Sequence, residues 1–124
     1  VSVFYLSCVH FVNQYDAKKG FLDTYGHSGR HGFRVETTNT RDRSGTGSGI
    51  WRIVSKSGNE GSVISGDLVH LVNQYLPPKG YLDTYGHTGR HGFHVETTNT
   101  KDRHKGSGTW KIITAAGFPD CGKQ

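Results

Sequence analysis

Residues 9–43 read VHFVNQYDAKKGFLDTYGHSGRHGFRVETTNTRDR, and residues 69–103 read VHLVNQYLPPKGYLDTYGHTGRHGFHVETTNTKDR. The two stretches align without a gap and are identical at 27 of 35 positions. The match resumes at Trp51 and Trp110, after a connection that is one residue shorter in the second copy. A repeat of this length is typical of one supersecondary unit copied to build a larger closed or stacked structure. The sequence therefore predicts one domain, residues 1–124, made of two tandem repeats, 1–60 and 61–120.

Apolar and polar residues alternate within each repeat, and this pattern predicts strands. Val9, Phe11 and Tyr15 fall on one face of the first predicted strand, and Trp51 and Ile53 face inward on the last. The predicted strands of the first repeat are residues 9–15, 21–25, 33–37 and 50–54. The 18 glycines and the apolar share of 32% suit short strands and tight turns better than long helices. The predicted fold class is therefore all-β.

The order of these motifs resembles the four-stranded building block of β-trefoil proteins. The motifs that carry the resemblance are Val-x-Leu-x-Asn, Gly-Tyr-Leu-Asp, Val-Glu-Thr and Gly-Thr-Trp-Lys-Ile. Trp51 and Trp110 are placed like the Trp near the end of each ricin-type lectin repeat. Tyr25 and Gly26, with their copies in the second repeat, match part of the His-Pro-Tyr-Gly-Gly motif of mussel-type lectins. The resemblance implies β-trefoil-like repeats and a sugar-binding function.

The sequence departs from these lectins in three respects. Asp23 and Asp83 stand where the first motif has its sugar-binding His. The positions of a second motif, His-x-Asp-x-His, are held by Thr37, Asn39 and Arg41, and by Thr97, Asn99 and Lys101. Trefoils also need three units, whereas this chain has two. Three alternatives remain open: a third unit lies outside this sequence, chains associate to complete the architecture, or two units close an eight-stranded barrel with pseudo-twofold symmetry.

Both repeats contain the residue types that bind sugars. Carboxylates and amides bond vicinal hydroxyls in pairs, while an aromatic ring covers the apolar C–H face. We expect Asp23 to accept from hydroxyls and Tyr25 to present its ring. The alternative is structural, because an Asp after a strand often bonds its own backbone and a Tyr can plug a barrel end. The predicted carbohydrate-binding residues are Asp23, Tyr25, His27, Arg30, His31, Asn39 and Asp42, with Asp83, Tyr85, His87, Arg90, His91, Asn99 and Asp102 in the second repeat.

Neither a metal nor another cofactor is predicted. His27 and His31 are four residues apart, as are their copies, but they lie in a Gly-containing loop without a Cys or carboxylate to complete a ligand set. His10 and His70 lie within strand patterns, where a structural role is expected. A ribonuclease-like enzyme built from Glu36, His27 and Arg30 is the catalytic alternative. Since a catalytic centre needs one asymmetric pocket and neither copy is distinguished, we expect a non-catalytic protein.

The net charge of +5 leaves a polyanion-binding module, for heparin-like glycans or nucleic acid, as the alternative function. It would use Arg30, Arg41 and Arg43 and their counterparts in the second repeat. Basic residues are nevertheless interleaved with acidic ones, which favours a solvated surface. A structural or defensive protein without a small ligand is a third possibility.

The expected partners are glycans or glycoproteins, because identical sites at a fixed separation gain avidity. We also expect the chain to form a homo-oligomer. No stretch approaches the roughly 18 to 20 apolar residues of a membrane span. Cys8 and Cys121 lie outside the repeat pattern and either pair or remain unrelated thiols; pairing would suit an oxidising compartment. The expected location is secreted or extracellular.

Overall fold

The computed structural model describes residues 3–26, 29–86 and 88–113. The all-β prediction is confirmed: eight strands in these residues form one antiparallel sheet, which is curled into half a barrel. The strands are β1 (Cys8–Val9), β2 (Phe21–Tyr25), β3 (Arg34–Thr38), β4 (Trp51–Ser55), β5 (Leu68–Asn73), β6 (Tyr81–Tyr85), β7 (His94–Thr98) and β8 (Trp110–Lys111). Within the described residues, no helix is both long and apolar enough to cross a membrane.

The hairpins β2–β3 and β6–β7 are the equivalent parts of the two repeats. In each, five residue pairs face one another, from Phe21 opposite Thr38 to Tyr25 opposite Arg34 in the first repeat. Short 3₁₀ helices precede them, at Ala17–Lys19 and Pro77–Lys79. Strands β2 and β6 have the predicted bounds, and β3 is displaced by one residue from its prediction.

The outer strands are shorter than the sequence predicts. β1 contains two residues whereas its counterpart β5 contains six, because β5 pairs along its length with β4 of the first repeat. In the same way β8 has two residues and β4 has five. The first strand therefore ends well before Tyr15, which lies outside it and is 99% exposed, so the prediction of a strand over residues 9–15 is wrong at its C-terminal end.

The hydrophobic core lies at the junction of the two repeats. Trp51 and Ile53 of β4 are buried as predicted, and they pack with Val69 and Leu71 of β5 and with Leu82 of β6. The indole Nε1 of Trp51 donates to the carbonyl of Leu22 at 3.1 Å. Burial of each such side chain contributes about 1.5–3 kcal/mol. The junction is therefore the main source of stability for both units.

Asn73, at the end of β5, joins the two repeats by hydrogen bonds. Its fully buried amide donates to the carbonyl of Ser48 at 2.8 Å and accepts from the hydroxyl of Thr24 at 3.2 Å. Asn13 holds the equivalent position in the first repeat, but it is exposed. Its Oδ1 accepts from the amide of Tyr15, as Oδ1 of Asn73 accepts from that of Tyr75. The same residue type thus stands in two different environments.

This difference predicts unequal effects of equivalent substitutions. Asn73→Ala would remove two buried hydrogen bonds between the repeats and lower the free energy of unfolding by about 1–3 kcal/mol. Asn13→Ala would change it by less than about 0.5 kcal/mol, because that side chain is solvated. Urea unfolding followed by Trp fluorescence measures both. Equal losses for the two variants would contradict the claim that Asn73, unlike Asn13, stabilises the contact between the repeats.

Candidate functional site

Asp23 and Asp83 lie inside the protein and are bound to arginines. Both side chains are 0% exposed. The Nε of Arg43 donates to Oδ2 of Asp23 at 2.7 Å, and its Nη2 donates to the carbonyl of Thr24 at 2.9 Å. Arg103 makes the same two bonds in the second repeat, to Asp83 and Thr84. A ligand does not reach carboxylates without exposed surface, so this placement corrects the prediction that they accept from sugar hydroxyls.

The arginine supplies the charged partner that each buried carboxylate requires. The hydrogen bond to Asp23, and then its charge, raise the pKa of Arg43 above its ordinary value. Among the described residues, no donor reaches the other buried oxygen, Oδ1, of Asp23 or of Asp83. A buried charge is costly unless it is paired. The Asp–Arg pair is therefore a structural element of each repeat.

Asp42 and Asp102 hold the loops that precede β4 and β8. Asp42 accepts from the backbone N–H groups of Gly47 and Gly49 at 3.0 to 3.2 Å. Burial raises the pKa of Asp102, but the Gly108 N–H and the charge of Lys56 outweigh it and leave this pKa below its ordinary value. These two half-buried carboxylates are thus engaged by their own loops, and their place in a sugar site stays a prediction.

Asn39 and Asn99 are exposed at the far end of their hairpins. Asn39 follows β3, whereas Tyr25 lies opposite Arg34 at the start of that strand. Five strand positions separate these ends, a span of about 17 Å. The two asparagines therefore do not share a site with Tyr25 or Tyr85, contrary to the prediction.

His31 joins the first repeat to the second. Its backbone N–H donates to Oε1 of Glu96 at 3.0 Å, and its ring Nδ1 contacts Oε2 of the same carboxylate. Glu96 is 1% exposed, so it depends on this contact. The copy of His31, His91, is exposed. His27 and His87, predicted as ligands of the sugar, lie outside the described residues.

His10 and His70 are placed as structural residues. Nδ1 of His70, which is buried, lies 2.9 Å from the carbonyl of Gly108. His10 is exposed and makes the equivalent contact with Gly49, also at 2.9 Å. Across the described ranges, no group of three or more His, Cys, Asp or Glu side chains could hold a metal ion. Cys8 is exposed, and Cys121 lies outside the described residues.

The tips of the two hairpins lie side by side, because Arg34 of β3 pairs with Glu96 of β7. A cleft of about 530 Å³ lies between these tips. Its principal polar and aromatic residues are Tyr25, Arg30, Arg34, Tyr85, His94 and Glu96. The structure thus brings three predicted site residues together, Tyr25, Arg30 and Tyr85, and adds Arg34 and His94 to them.

The cleft combines aromatic rings with cationic donors. The ring of His94 stacks on Tyr85 with a centroid distance of 5.2 Å and an interplanar angle of 28°. Arg30 and Arg34 are both exposed, and the carboxylate of Glu96 is bound to His31. Positions 34 and 94 differ between the repeats, yet both hold a basic side chain. A basic side chain at both positions is the feature of the sequence that could have identified Arg34 and His94 as site residues.

Each repeat also has a shallow pocket beside its Asp–Arg pair. In the first repeat the pocket has about 140 Å³ and is lined by Tyr25, Phe33 and Arg43, and by Tyr75 from the second repeat. Phe33 and Tyr75 meet edge to face at 5.6 Å. The second repeat has the corresponding pocket around Phe93, where the volume is about 350 Å³. Tyr75 therefore narrows the first pocket.

The predicted polyanion set does not form one basic surface. Arg43 is bound to Asp23, and Arg103 to Asp83. Arg41 and Lys101 are exposed but follow the far ends of β3 and β7. In this set only Arg30, among the described residues, lines the cleft.

No protein-family model matches the chain, and neither a curated protein nor a solved structure is found to be similar to it.

Breaking one Asp–Arg pair tests its structural role. Arg43→Met leaves the Asp23 carboxylate buried without a partner, and we expect a loss of about 3 kcal/mol in the free energy of unfolding. This is the low end for a buried pair, because the Arg43 side chain is 44% exposed. Guanidinium unfolding gives the value, with Arg41→Met as the control of equal charge change. Adding Asp23→Asn to Arg43→Met should recover part of the loss; no recovery would argue against an uncompensated charge as its cause.

Proposed function

We propose that this protein is a non-catalytic carbohydrate-binding protein that holds its glycan in the cleft between the hairpin tips. The observation that carries the proposal is the convergence of Tyr25, Tyr85, Arg30, Arg34 and His94 on one cleft of about 530 Å³. This volume lies within the range of about 300–1,000 Å³ that is typical of small-molecule sites. We further propose that the four-stranded repeats are β-trefoil-like, as the positions of the strand motifs suggest.

Each component of the cleft has a role in sugar recognition. The tyrosine rings offer an apolar surface to sugar C–H groups and a hydroxyl at the rim. The planar guanidinium groups of Arg30 and Arg34 donate in pairs, a geometry that matches vicinal hydroxyls and carboxylates. His94 adds a third donor or acceptor beside Tyr85. We expect sugars with a carboxylate or sulfate group to bind best, because Arg30 and Arg34 bring two positive charges to the lining of the cleft.

In the described part of the cleft lining, no exposed carboxylate accompanies His94 as an acid–base pair. Its carboxylate belongs to Glu96, which is 1% exposed and bound to His31. Glu36, the acid of the ribonuclease-like alternative, lies on β3 and is not part of the cleft lining in the described residues. These placements support a binding function over a catalytic one.

A polyanion-binding module is the second candidate, and the cationic character of the cleft is the observation that favours it. The two functions differ in how many charges the ligand must contribute. A short acidic glycan would meet the two arginines and His94, whereas a long polyanion would also engage exposed residues such as Arg41. Binding of single sugars would be weak and would gain strength through multivalency. Because strong binding would require a multivalent ligand, we propose glycoproteins outside the cell as the partners.

A glycan array with two matched variants tests the site. Arg30→Ala removes a donor from the cleft, and we expect the dissociation constant to rise about tenfold, the effect of losing one charged hydrogen bond. Arg41→Ala makes the same charge change away from the cleft and should leave binding unchanged. Equal losses in both variants would indicate diffuse attraction to polyanions, and no loss in either would remove the cleft as the binding site.

Ionic strength separates the two candidate functions. Calorimetric titration at about 50 and 200 mM salt should show less than a tenfold loss of affinity for a short acidic glycan, since few charges are involved. A polyanion with six to ten phosphate or sulfate contacts would lose about 10³–10⁵ over the same range. A steep dependence for the best ligand would contradict the carbohydrate assignment and favour the polyanion module.

A further inference from the structure

The junction between the repeats joins two different faces of the same unit. The upstream face of a repeat consists of Asn13, Gln14, Tyr15, Glu36, Thr37 and Thr38, or of Asn73, Gln74, Tyr75, Glu96, Thr97 and Thr98. The downstream face consists of Tyr25, Arg30, His31, Gly32, Phe33 and Ser48, or of Tyr85, Arg90, His91, Gly92, Phe93 and Ser107. The two copies of each face have identical residues. Within the chain, the downstream face of the first repeat contacts the upstream face of the second.

The contacts at this junction are specific and close. The Phe33 N–H donates to the hydroxyl of Thr97 at 3.0 Å, and the Thr97 N–H donates to the carbonyl of Phe33 at 3.0 Å. His31 holds the buried carboxylate of Glu96. Gly32 lies so near Thr97 that an added Cβ would collide with the Thr97 carbonyl. This junction therefore requires both complementary shape and matched polar groups.

The second downstream face is exposed, although its residues are the same. Phe93 is 58% exposed, whereas Phe33 is 3% exposed. An added Cβ at Gly92 would meet no described atom within 4 Å. His91 is exposed, in contrast to the half-buried His31. This end of the chain presents the surface on which the second repeat docks at the other end.

The first upstream face is exposed as well. Tyr15 is 99% exposed, whereas Tyr75 is 40% exposed and contacts Phe33. Glu36 and Thr37 are exposed, while their copies on β7 are buried. Val9 and Phe11, which precede Asn13 in the chain, line part of an open apolar hollow of about 520 Å³. The chain thus carries one exposed copy of each half of its own internal junction.

We propose that a second copy of this chain docks on these exposed faces, with the upstream face of one copy against the downstream face of the other. Since each chain forms half a barrel, two copies related by a twofold axis satisfy all four exposed faces at once. Each new junction repeats the contacts that are present within the chain. The open apolar hollow is covered in the same step, which removes an exposed apolar surface from water.

Docking also completes the sites of the second repeat. The partner's Tyr15 takes the position over Phe93 that Tyr75 takes over Phe33, and it narrows the pocket of about 350 Å³. The partner's Tyr25 comes beside Tyr85 and Arg90, so that a further cleft forms between hairpin tips. In the pair of chains, a cleft therefore lies at every junction, both within each chain and between the two chains. A single chain has one junction and one such cleft.

The mass in solution tests this proposal without any glycan, so its outcome is independent of the proposed function. Light scattering after gel filtration should give the mass of two chains for the unaltered protein. Gly92→Leu and Thr37→Arg should each give single chains with an unchanged circular dichroism spectrum, because both positions are exposed within one chain. Gly32→Leu is the matched control: it disrupts the internal junction and should lower the unfolding temperature.

Mixing the two variants tests the direction of docking. In an equimolar mixture, the intact upstream face of the Gly92→Leu chain meets the intact downstream face of the Thr37→Arg chain at one junction, whereas the second junction joins the two altered faces. The mixture should therefore pair more strongly than either variant alone and more weakly than the unaltered protein. The unaltered protein remaining a single chain at about 100 μM, or both variants keeping the mass of two chains, would overturn the proposal. It is also overturned if the mixture pairs no more strongly than either variant alone while the unaltered protein pairs.

Discussion

The contact between His31 and Glu96 is the constraint on which the rest of the structure depends. A carboxylate as deeply buried as that of Glu96 requires a partner, since an unpaired charge away from water is costly. His31 belongs to the loop of the other repeat, so the partner is present only when the two units are docked. That requirement sets β3 beside β7. The cleft between the hairpin tips then follows from the pairing, and no separate element is needed to form it.

The hairpins and the all-β fold class could be predicted from the sequence, because both depend on local patterns of residues. β2 and β6 have their predicted bounds, and the inward orientation of Trp51 and Ile53 is confirmed by their burial. The different lengths of β1 and β5 could not be predicted in this way. Their sequences are nearly identical, and only the position of each repeat in the chain decides which strand is paired over five residues and which over two. Local sequence has no signal for a difference that arises from packing between units.

The site could be predicted in part, for the same reason. Tyr25 and Arg30 could be predicted, because they lie close together in a polar segment whose side chains suit sugar binding. The buried pairing of Asp23 could not be predicted, because its partner, Arg43, is twenty residues away and their contact depends on how the loop before β4 returns to the hairpin. A carboxylate after an apolar position is compatible with either a ligand or a buried pair. The identity of the distant partner decides between them, and it is visible only in the fold.

The near identity of the repeats also has a consequence for refolding. When denatured chains are returned to native conditions, a second repeat meets first repeats of neighbouring molecules that fit it as well as its own does. Correct folding then depends on the tether, which keeps the effective concentration of the native neighbour high. A high protein concentration weakens that advantage and favours misassembled oligomers, as occurs with other tandem repeat proteins. Dilution during recovery is therefore a physical requirement of this architecture.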